Sequence, residues 1–134
     1  MLRPDDLKAV YFVKSEPLIE TIETGLIDLR EGAGSEATID SLCRAAHSIQ
    51  ASAGVFGFAR LSAFAQPIAM MLDAIQRGCL AATPHIVDAL LSATAVLIDL
   101  IQSARAEIDL PANYEDECRA MLEQFWKPAS GVAA

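Results

Sequence analysis

The side chain best suited to chemistry in this sequence is His47, which begins the segment His47–Phe58, rich in small residues. Apolar residues on its predicted helix recur at alternating steps of three and four and predict one buried face: Ile39, Leu42, Ala46, Ile49, Ala53 and Phe56. His47 lies one residue, or about 100° of helical rotation, beyond Ala46 and should therefore reach solvent. An exposed imidazole on a rigid helix suits a nucleophile that two macromolecules must reach in turn.

The residues that share the predicted face of His47 are mostly small or uncharged: Cys43, Arg44, Gln50, Ala51 and Gly54. A partner protein could lie flat over such a surface, so these residues are candidate docking positions. Cys43 and His47 also have the i, i+4 spacing of a helical metal pair, but the sequence offers no second pair of ligands. We therefore predict no metal site.

Charge is distributed unevenly, because all 18 acidic residues lie outside Ser41–Leu72, where Arg44 and Arg60 are the only ionic side chains. A gap in negative charge around His47 would ease the approach of a phosphoryl group or an acidic protein surface. Packing inside a helical bundle would account for the same gap equally well.

The bulk composition excludes several classes of partner. A formal net charge of −8 argues against nucleic acid and against an anionic membrane surface. No apolar run approaches the roughly 20 residues that span a bilayer, and the first residues are too polar for a secretory leader. Three widely spaced cysteines without a C-x-x-C motif predict free thiols in a reducing compartment, the cytoplasm.

The chain of 134 residues predicts one domain, and its 53% hydrophobic and 6% aromatic content favours an all-α fold. Helical patterns cover Leu7–Leu29, the His47 segment after a cap at Ser35 or Thr38, and Leu61–Ile75. A fourth helix should begin at Thr83-Pro84. Asn113 should cap a last helix that buries Tyr114.

Two prolines interrupt these patterns. Pro17 predicts either a kink in one long helix or a fresh helix capped by Ser15, and Pro67 predicts a bend. Short connections favour an antiparallel four-helix up-down bundle with an additional C-terminal helix. We expect a domain over residues 1–126, with its core at about 7–105 and the extra helix at about 113–126. Residues 127–134 resemble a linker to a further region.

The segment from His47 to Phe58, with the sequence HSIQASAGVFGF, resembles the signature of histidine phosphotransfer (HPt) domains, H-S-x-K-G-S-x-G-x-x-G-[FL]. Tyr11–Glu20 and Arg60–Gly78 resemble the N-terminal module of CheA-type chemotaxis kinases, so that the likeness covers roughly residues 7–105. The resemblance implies a phosphocarrier that is no enzyme on its own. His47 would accept a phosphoryl group at Nε2 from an ATP-bound kinase domain and pass it to an aspartate of a CheY-like response regulator.

The resemblance also implies that the domain itself holds no cofactor, since ATP is bound by the separate kinase domain. Ala51, Gly54 and Gly57 match small positions that let partners come close, and Phe58 closes the same motif. We count Gly57 and Phe58 among the docking residues.

Several positions depart from the family pattern. Gln50 replaces a lysine, and Gln66 and Ala69 replace the histidine and glutamate that contact the imidazole, with Pro67 between them. Ala69 should leave His47 without a carboxylate that accepts the Nδ1 proton, fixes the tautomer and raises the basicity of Nε2. Gln50 and Gln66 remain as polar support for the phosphoryl group.

Two other functions compete with this interpretation. The domain could be a non-catalytic docking module with a degenerate site and a vestigial histidine. An enzyme with Cys43 as nucleophile and His47 as base would need a deep pocket, which an exposed helical face does not promise. As an isolated domain the chain should be monomeric.

Overall fold

The structure is a computed structural model that describes residues 4–126, and its side chains are described for residues 8–125. The predicted linker, residues 127–134, lies outside the described residues. The described chain forms five α-helices: α1 Pro4–Arg30, α2 Glu36–Val55, α3 Ala59–Gln76, α4 Pro84–Ala106 and α5 Asp116–Trp126.

Contacts between helices show the antiparallel arrangement that was predicted. Arg30 near the end of α1 pairs with Asp88 near the start of α4, and Arg105 near the end of α4 pairs with Glu16 of α1. The helices α1 to α4 close a ring in which α2 lies between α1 and α3, and α4 lies against the other side of both. The additional helix α5 packs on α3 and α4 only, within the described chain. The all-α bundle with an extra C-terminal helix is therefore confirmed.

The core lies between these helices and consists of the apolar positions that set the helical patterns. The largest fully buried side chains come from every helix: Phe64, Ile22, Leu26, Leu42, Ile49, Ile68, Met71, Leu72, Leu90, Leu97, Leu122 and Val87. At the ends of the predicted α2 stripe, Ile39 and Phe56 are only partly buried. Burial of this apolar surface supplies most of the driving force for folding.

The sequence left the role of Pro17 open, and the structure shows one continuous α1 that contains it. Ser15 does not cap a new helix, because its hydroxyl donates to the carbonyl of Phe12. Pro67 likewise lies inside the single helix α3.

Two predicted helix starts are confirmed. The side chain of Ser35 accepts from the amide of Thr38, whose own side chain reciprocates in a capping box. The side chain of Thr83 accepts from the amide of Ile86 and caps α4, with Pro84 in its first turn.

The predicted start of the last helix is wrong. Asn113 lies in a turn, its carbonyl accepts from the amide of Asp116, and α5 begins at Asp116. Tyr114 is exposed rather than packed inward, because its hydroxyl donates to Asp99 at 2.5 Å. The buried residue of this turn is Glu115, which binds Arg60.

Gly57 determines how α2 ends and how the chain enters α3. It adopts the left-handed φ of +81°, which costs glycine little, and the amide of Phe58 donates back to Ala53 at 2.8 Å. This turn places Phe58 against Tyr11 and Phe12 of α1, with ring centroids 5.2 and 5.3 Å apart. The α2–α3 corner is thereby packed onto α1.

By length and composition, α4 could cross a membrane, which corrects the expectation that no apolar run approaches that length. In this structure, α4 lies in the bundle, with Val87, Leu90 and Leu97 buried against its neighbours. Core helices of bundles reach the same apolar content.

Candidate functional site

His47 stands on the outer face of α2, with 52% of its side chain exposed. Among the described helices, α2 contacts only α1 and α3, so the side of α2 that carries His47 is left uncovered. The predicted exposure of the imidazole is confirmed. A residue on an element packed along two sides is also held in place, which suits a group that partners must find in a fixed geometry.

A shallow open depression adjoins the imidazole and is lined by Gln50, Ala51, Gly54, Val55 and Ser62. Ser62 of α3 donates to the backbone carbonyl of Gln50 at 3.1 Å and joins the two helices at this point. Val55 is strongly exposed although it is apolar. The sequence predicted Gln50, Ala51 and Gly54 here, whereas Val55 and Ser62 were missed.

The main feature that the sequence analysis missed is a carboxylate on the histidine. Nε2 of His47 lies 2.9 Å from Oδ1 and 2.8 Å from Oδ2 of Asp73, which belongs to α3. This contact is to Nε2, so it adds a carboxylate partner without contradicting the prediction that Ala69 leaves Nδ1 without one. Ala69 is buried in the core, and the carboxylate comes from one helical turn further along α3.

Cys43 does not belong to the exposed surface, which corrects its assignment as a docking residue. Its side chain is only 4% exposed, because four residues span about 400° and place Cys43 about 40° closer to the buried stripe than His47. Burial, and then the charges of Asp73 and Asp40, raise the pKa of this thiol to about 11.

A thiol with so high a pKa stays protonated at neutral pH and is a poor nucleophile, which argues against the Cys43–His47 enzyme. Among the described residues, no group of three or more His, Cys, Asp or Glu side chains is placed to hold a metal ion.

The predicted gap in negative charge is closed on one side of His47. Asp73, the first residue after the acid-free segment Ser41–Leu72, contacts the imidazole directly. Asp40, the last acidic residue before that segment, binds Arg44 and Gln76. Arg44 lies one turn before His47 with 81% of its side chain exposed. Charged side chains of both signs therefore lie towards the start of α2, and uncharged side chains lie towards its end.

The other predicted site residues are exposed or partly buried, and in the described structure none of them forms a hydrogen bond with the imidazole. Gln66 is exposed on α3 and forms no hydrogen bond with His47 in the described structure. Gly57 and Phe58 line a different groove, between the α2–α3 corner and the segment after α4. The predicted docking surface is thus divided into a depression beside His47 and a second groove at the end of the bundle.

We expect Gly54→Ala to stabilise the domain by about 0.5–1 kcal/mol, since alanine favours a helix over glycine. A Cβ added there would meet only Ser62 Oγ, at an ordinary contact distance of 3.7 Å. The control Gly57→Ala has equal space but a positive φ, and should cost about 1–2 kcal/mol. Urea unfolding of both variants checks this, and a destabilised Gly54→Ala variant would contradict the geometry.

Comparison with known proteins gives one family over nearly the whole described chain. The Hpt domain family matches residues 6–126. The chain is 32% identical over 122 residues to the chemotaxis protein CheA of Cereibacter sphaeroides, covering 89% of this chain and 18% of that protein. It is 31% identical over 101 residues to CheA of Rhizobium meliloti, covering 75% and 13% respectively. The chain thus spans less than a fifth of the relatives it matches.

A solved structure with the same fold is the phosphorylated P1 domain of CheA3 from R. sphaeroides, determined in complex with CheY6. The two chains superpose with a TM-score of 0.81 at 21% identity, over 90% of this chain and 94% of that one.

Proposed function

Since this chain belongs to the Hpt domain family, we propose that it is the phosphocarrier of a chemotaxis two-component system. His47 accepts a phosphoryl group from a CheA-type kinase domain and passes it to an aspartate of a CheY-like response regulator. The domain is a substrate of both partners and holds no catalytic machinery for turnover of its own.

The observation that carries this proposal is the exposure of His47 on a helix that is packed along two sides. The imidazole is more than half exposed, and a shallow depression adjoins it, so an active site on another protein can enclose the ring. A nucleophile that served small substrates would instead lie in a concave pocket.

Within this proposal, the surface beside His47 is the docking face for both partners. Ala51 and Gly54 keep it low, Val55 adds an exposed apolar contact, and Arg44 offers a cation to an acidic partner surface. Gln50 provides a neutral hydrogen-bond donor near the phosphoryl group.

The residues further from the ring act at the edge of the same face. Gln66 is available for polar contacts from α3, while Gly57 and Phe58 contact the part of a partner that reaches the end of the bundle.

The kinase that supplies the phosphoryl group lies outside this domain. The CheA relatives are more than five times as long as the matched segment, which supports a place for this domain in a larger CheA-type histidine kinase that binds ATP elsewhere. Residues 127–134 would then link the HPt domain of residues 1–126 to the next region. Free cysteines in the described bundle are consistent with the cytoplasm.

The alternative is a docking module whose histidine has no chemical role. A neutral glutamine at position 50 favours it, because a lysine there would offset the charge of a bound phosphoryl group. The carboxylate that Asp73 places on the imidazole weighs against it, because a vestigial histidine needs no such partner.

The test is a two-step transfer assay with the purified domain, which we expect to be monomeric, a CheA-type kinase domain and ATP labelled at the γ-phosphate. We expect label that is labile in acid and stable in alkali, as a nitrogen–phosphorus bond is, and that leaves the domain when a CheY-like regulator is added. A regulator whose acceptor aspartate is replaced by asparagine is the control. Normal regulator binding by a domain that never takes up label would support the alternative.

A further inference from the structure

We propose that Asp73 restrains the phosphoacceptor: it holds the His47 ring against α3 with Nε2 covered, and phosphorylation begins only when the ring turns away from the carboxylate. This proposal rests on the proposed function. It adds a positioning residue on α3 that slows the first transfer step, and it keeps Nε2 as the reacting nitrogen, as the family resemblance implies.

The first step of the argument is the space around Nε2. Both carboxylate oxygens of Asp73 lie within 2.9 Å of this nitrogen. A phosphorus atom must approach the same nitrogen to about 3–3.5 Å, along its electron pair, before the bond forms. The carboxylate and a phosphoryl group cannot occupy this place together. The ring can take either tautomer when it is free, but it does not react at Nε2 while the contact lasts.

The second step is that Asp73 is also held from its other side. The buried thiol of Cys43 lies one turn before His47 on α2. Burial, then the charge of Asp73 and a hydrogen bond to it, raise the pKa of this thiol to about 11. The thiol therefore keeps its proton at neutral pH and remains a donor to the carboxylate. The contact on Nε2 thus comes from a side chain that α2 itself keeps in position.

The third step is the surface on the opposite side of the ring. In the part of the chain that the structure describes, the depression adjoining His47 is lined by uncharged side chains: Gln50, Ala51, Gly54, Val55 and Ser62. Arg44, the cation of α2, is paired with Asp40. The charge in contact with the ring is therefore that of Asp73, which has the same sign as a phosphoryl donor. A half-exposed ring that turns towards the depression meets the donor without this repulsion.

The fourth step is the reaction after release. The Nε2 electron pair attacks the γ-phosphorus of a nucleoside triphosphate on the kinase, the N–P bond forms, and the bond from phosphorus to the bridging oxygen breaks. The nucleoside diphosphate leaves with that electron pair. Nδ1 carries the ring hydrogen, and the cationic ring can release it to solvent as a proton. With the small donor phosphoramidate, the phosphorus–nitrogen bond of the donor breaks instead, and ammonia leaves.

The exposure of the pair sets the size of the restraint. The side chains of His47 and Asp73 are 52% and 32% exposed. Contacts between groups exposed to this degree favour the closed arrangement by a factor of at most about five. Release should therefore slow the reaction by roughly three- to fivefold, and the effect should shrink as salt screens the carboxylate.

The experiment measures initial labelling rates of the full chain with phosphoramidate and, separately, with a CheA-type kinase domain and ATP. Asp73→Ala and Asp73→Asn should each be labelled by phosphoramidate about three to five times faster than wild type. With the kinase below saturation, both variants should gain by a similar factor. Asp88→Asn, which removes a carboxylate from an exposed ion pair on α4, is the matched control and should keep the wild-type rate.

The dependence on salt is the readout that a merely structural role of Asp73 would not change. Between about 20 mM and about 1 M salt, the phosphoramidate rate of wild type should rise towards that of Asp73→Ala, relative to the same change in Asp88→Asn and Asp73→Ala. A constant ratio between wild type and Asp73→Ala would contradict an electrostatic restraint.

An Asp73→Ala variant with an unchanged rate would overturn the proposal, and so would a slower one, because Asp73 would then assist the reaction. A gain of the same size in Asp88→Asn would also overturn it, since the net charge alone would account for the difference. If phosphoramidate labels the variants faster as expected but no kinase labels the domain, the proposed function fails while the restraint stands.

Discussion

Replacing His47 with glutamine is expected to abolish phosphoryl uptake, with label falling at least about 100-fold, to background. Glutamine keeps a side chain of similar reach but has no nucleophilic nitrogen. His47 and Asp73 are both partly exposed, so losing the contact between them should change the free energy of unfolding by less than about 1 kcal/mol. The loss of label would then be chemical and would not reflect unfolding.

The chain provides a matched control, because its only other histidine is His85. His85 is exposed in the first turn of α4, where its ring and that of Phe125 form a T-shaped pair with centroids 5.3 Å apart. His85→Gln should take up label at the wild-type rate. Label that persists in His47→Gln, with circular dichroism confirming that both variants are folded, would show that another residue is the acceptor.

Replacing Arg60 with alanine is expected to destabilise the domain by about 3 kcal/mol, because it removes the closest guanidinium from a buried carboxylate and leaves it the guanidinium of Arg119, 3.8 Å away. Arg60 bonds both oxygens of Glu115, at 2.7 and 2.9 Å, and also the carbonyls of Leu110 and Pro111. The side chain of Glu115 is only 4% exposed. This cluster attaches the segment before α5 to the start of α3.

The control is Arg105→Ala, since the Arg105–Glu16 pair has a similar distance of 2.8 Å but is exposed on both sides. That variant should lose no more than about 1 kcal/mol in urea unfolding. Equal losses for the two variants would mean that burial of Glu115 does not matter.

The Arg60–Glu115 pair makes the free energy of unfolding depend on pH. Hydrogen bonding to Arg60, against the opposing effect of burial, lowers the pKa of Glu115 below its usual value. The folded state therefore binds this proton less readily than the unfolded chain, whose glutamates titrate near about 4.3. The stabilisation is present above that pH and is lost as the pH falls below it. Glu115→Gln should reduce the acid sensitivity of unfolding between neutral pH and about pH 3.

Helix patterns in the sequence were sufficient for the fold because they depend on local spacing. Ser35, Thr83 and Pro84 mark helix starts through contacts within one turn, and the structure has them where they were predicted. The predicted cap at Asn113 was wrong because the last helix begins after Glu115, whose carboxylate is bound by Arg60. These two residues are 55 positions apart in sequence, so the helical pattern does not contain this contact. The sequence could not decide between a kink and a new helix at Pro17 for a similar reason. The packing of α1 against α2 and α4 keeps the helix continuous across this residue.

The site was predicted in part. The exposure of His47 follows from its angular position on α2 relative to the apolar face of the same helix. That position can be read from the sequence alone. The contact with Asp73 depends on how α2 and α3 are aligned, whereas the family pattern has its carboxylate at the position of Ala69. A residue one turn further along the same helix face can reach the same place, so Asp73 was a candidate that the i, i+4 relation alone would have suggested.

The depression beside His47 is shallow and is built in advance by two helices, with no loop to order when a partner arrives. Binding to such a face costs little conformational entropy, yet it offers few deep anchors, so complexes should form quickly and have short residence times. A phosphocarrier must dissociate from one protein before it binds the next, so short-lived complexes allow a higher rate of phosphoryl transfer.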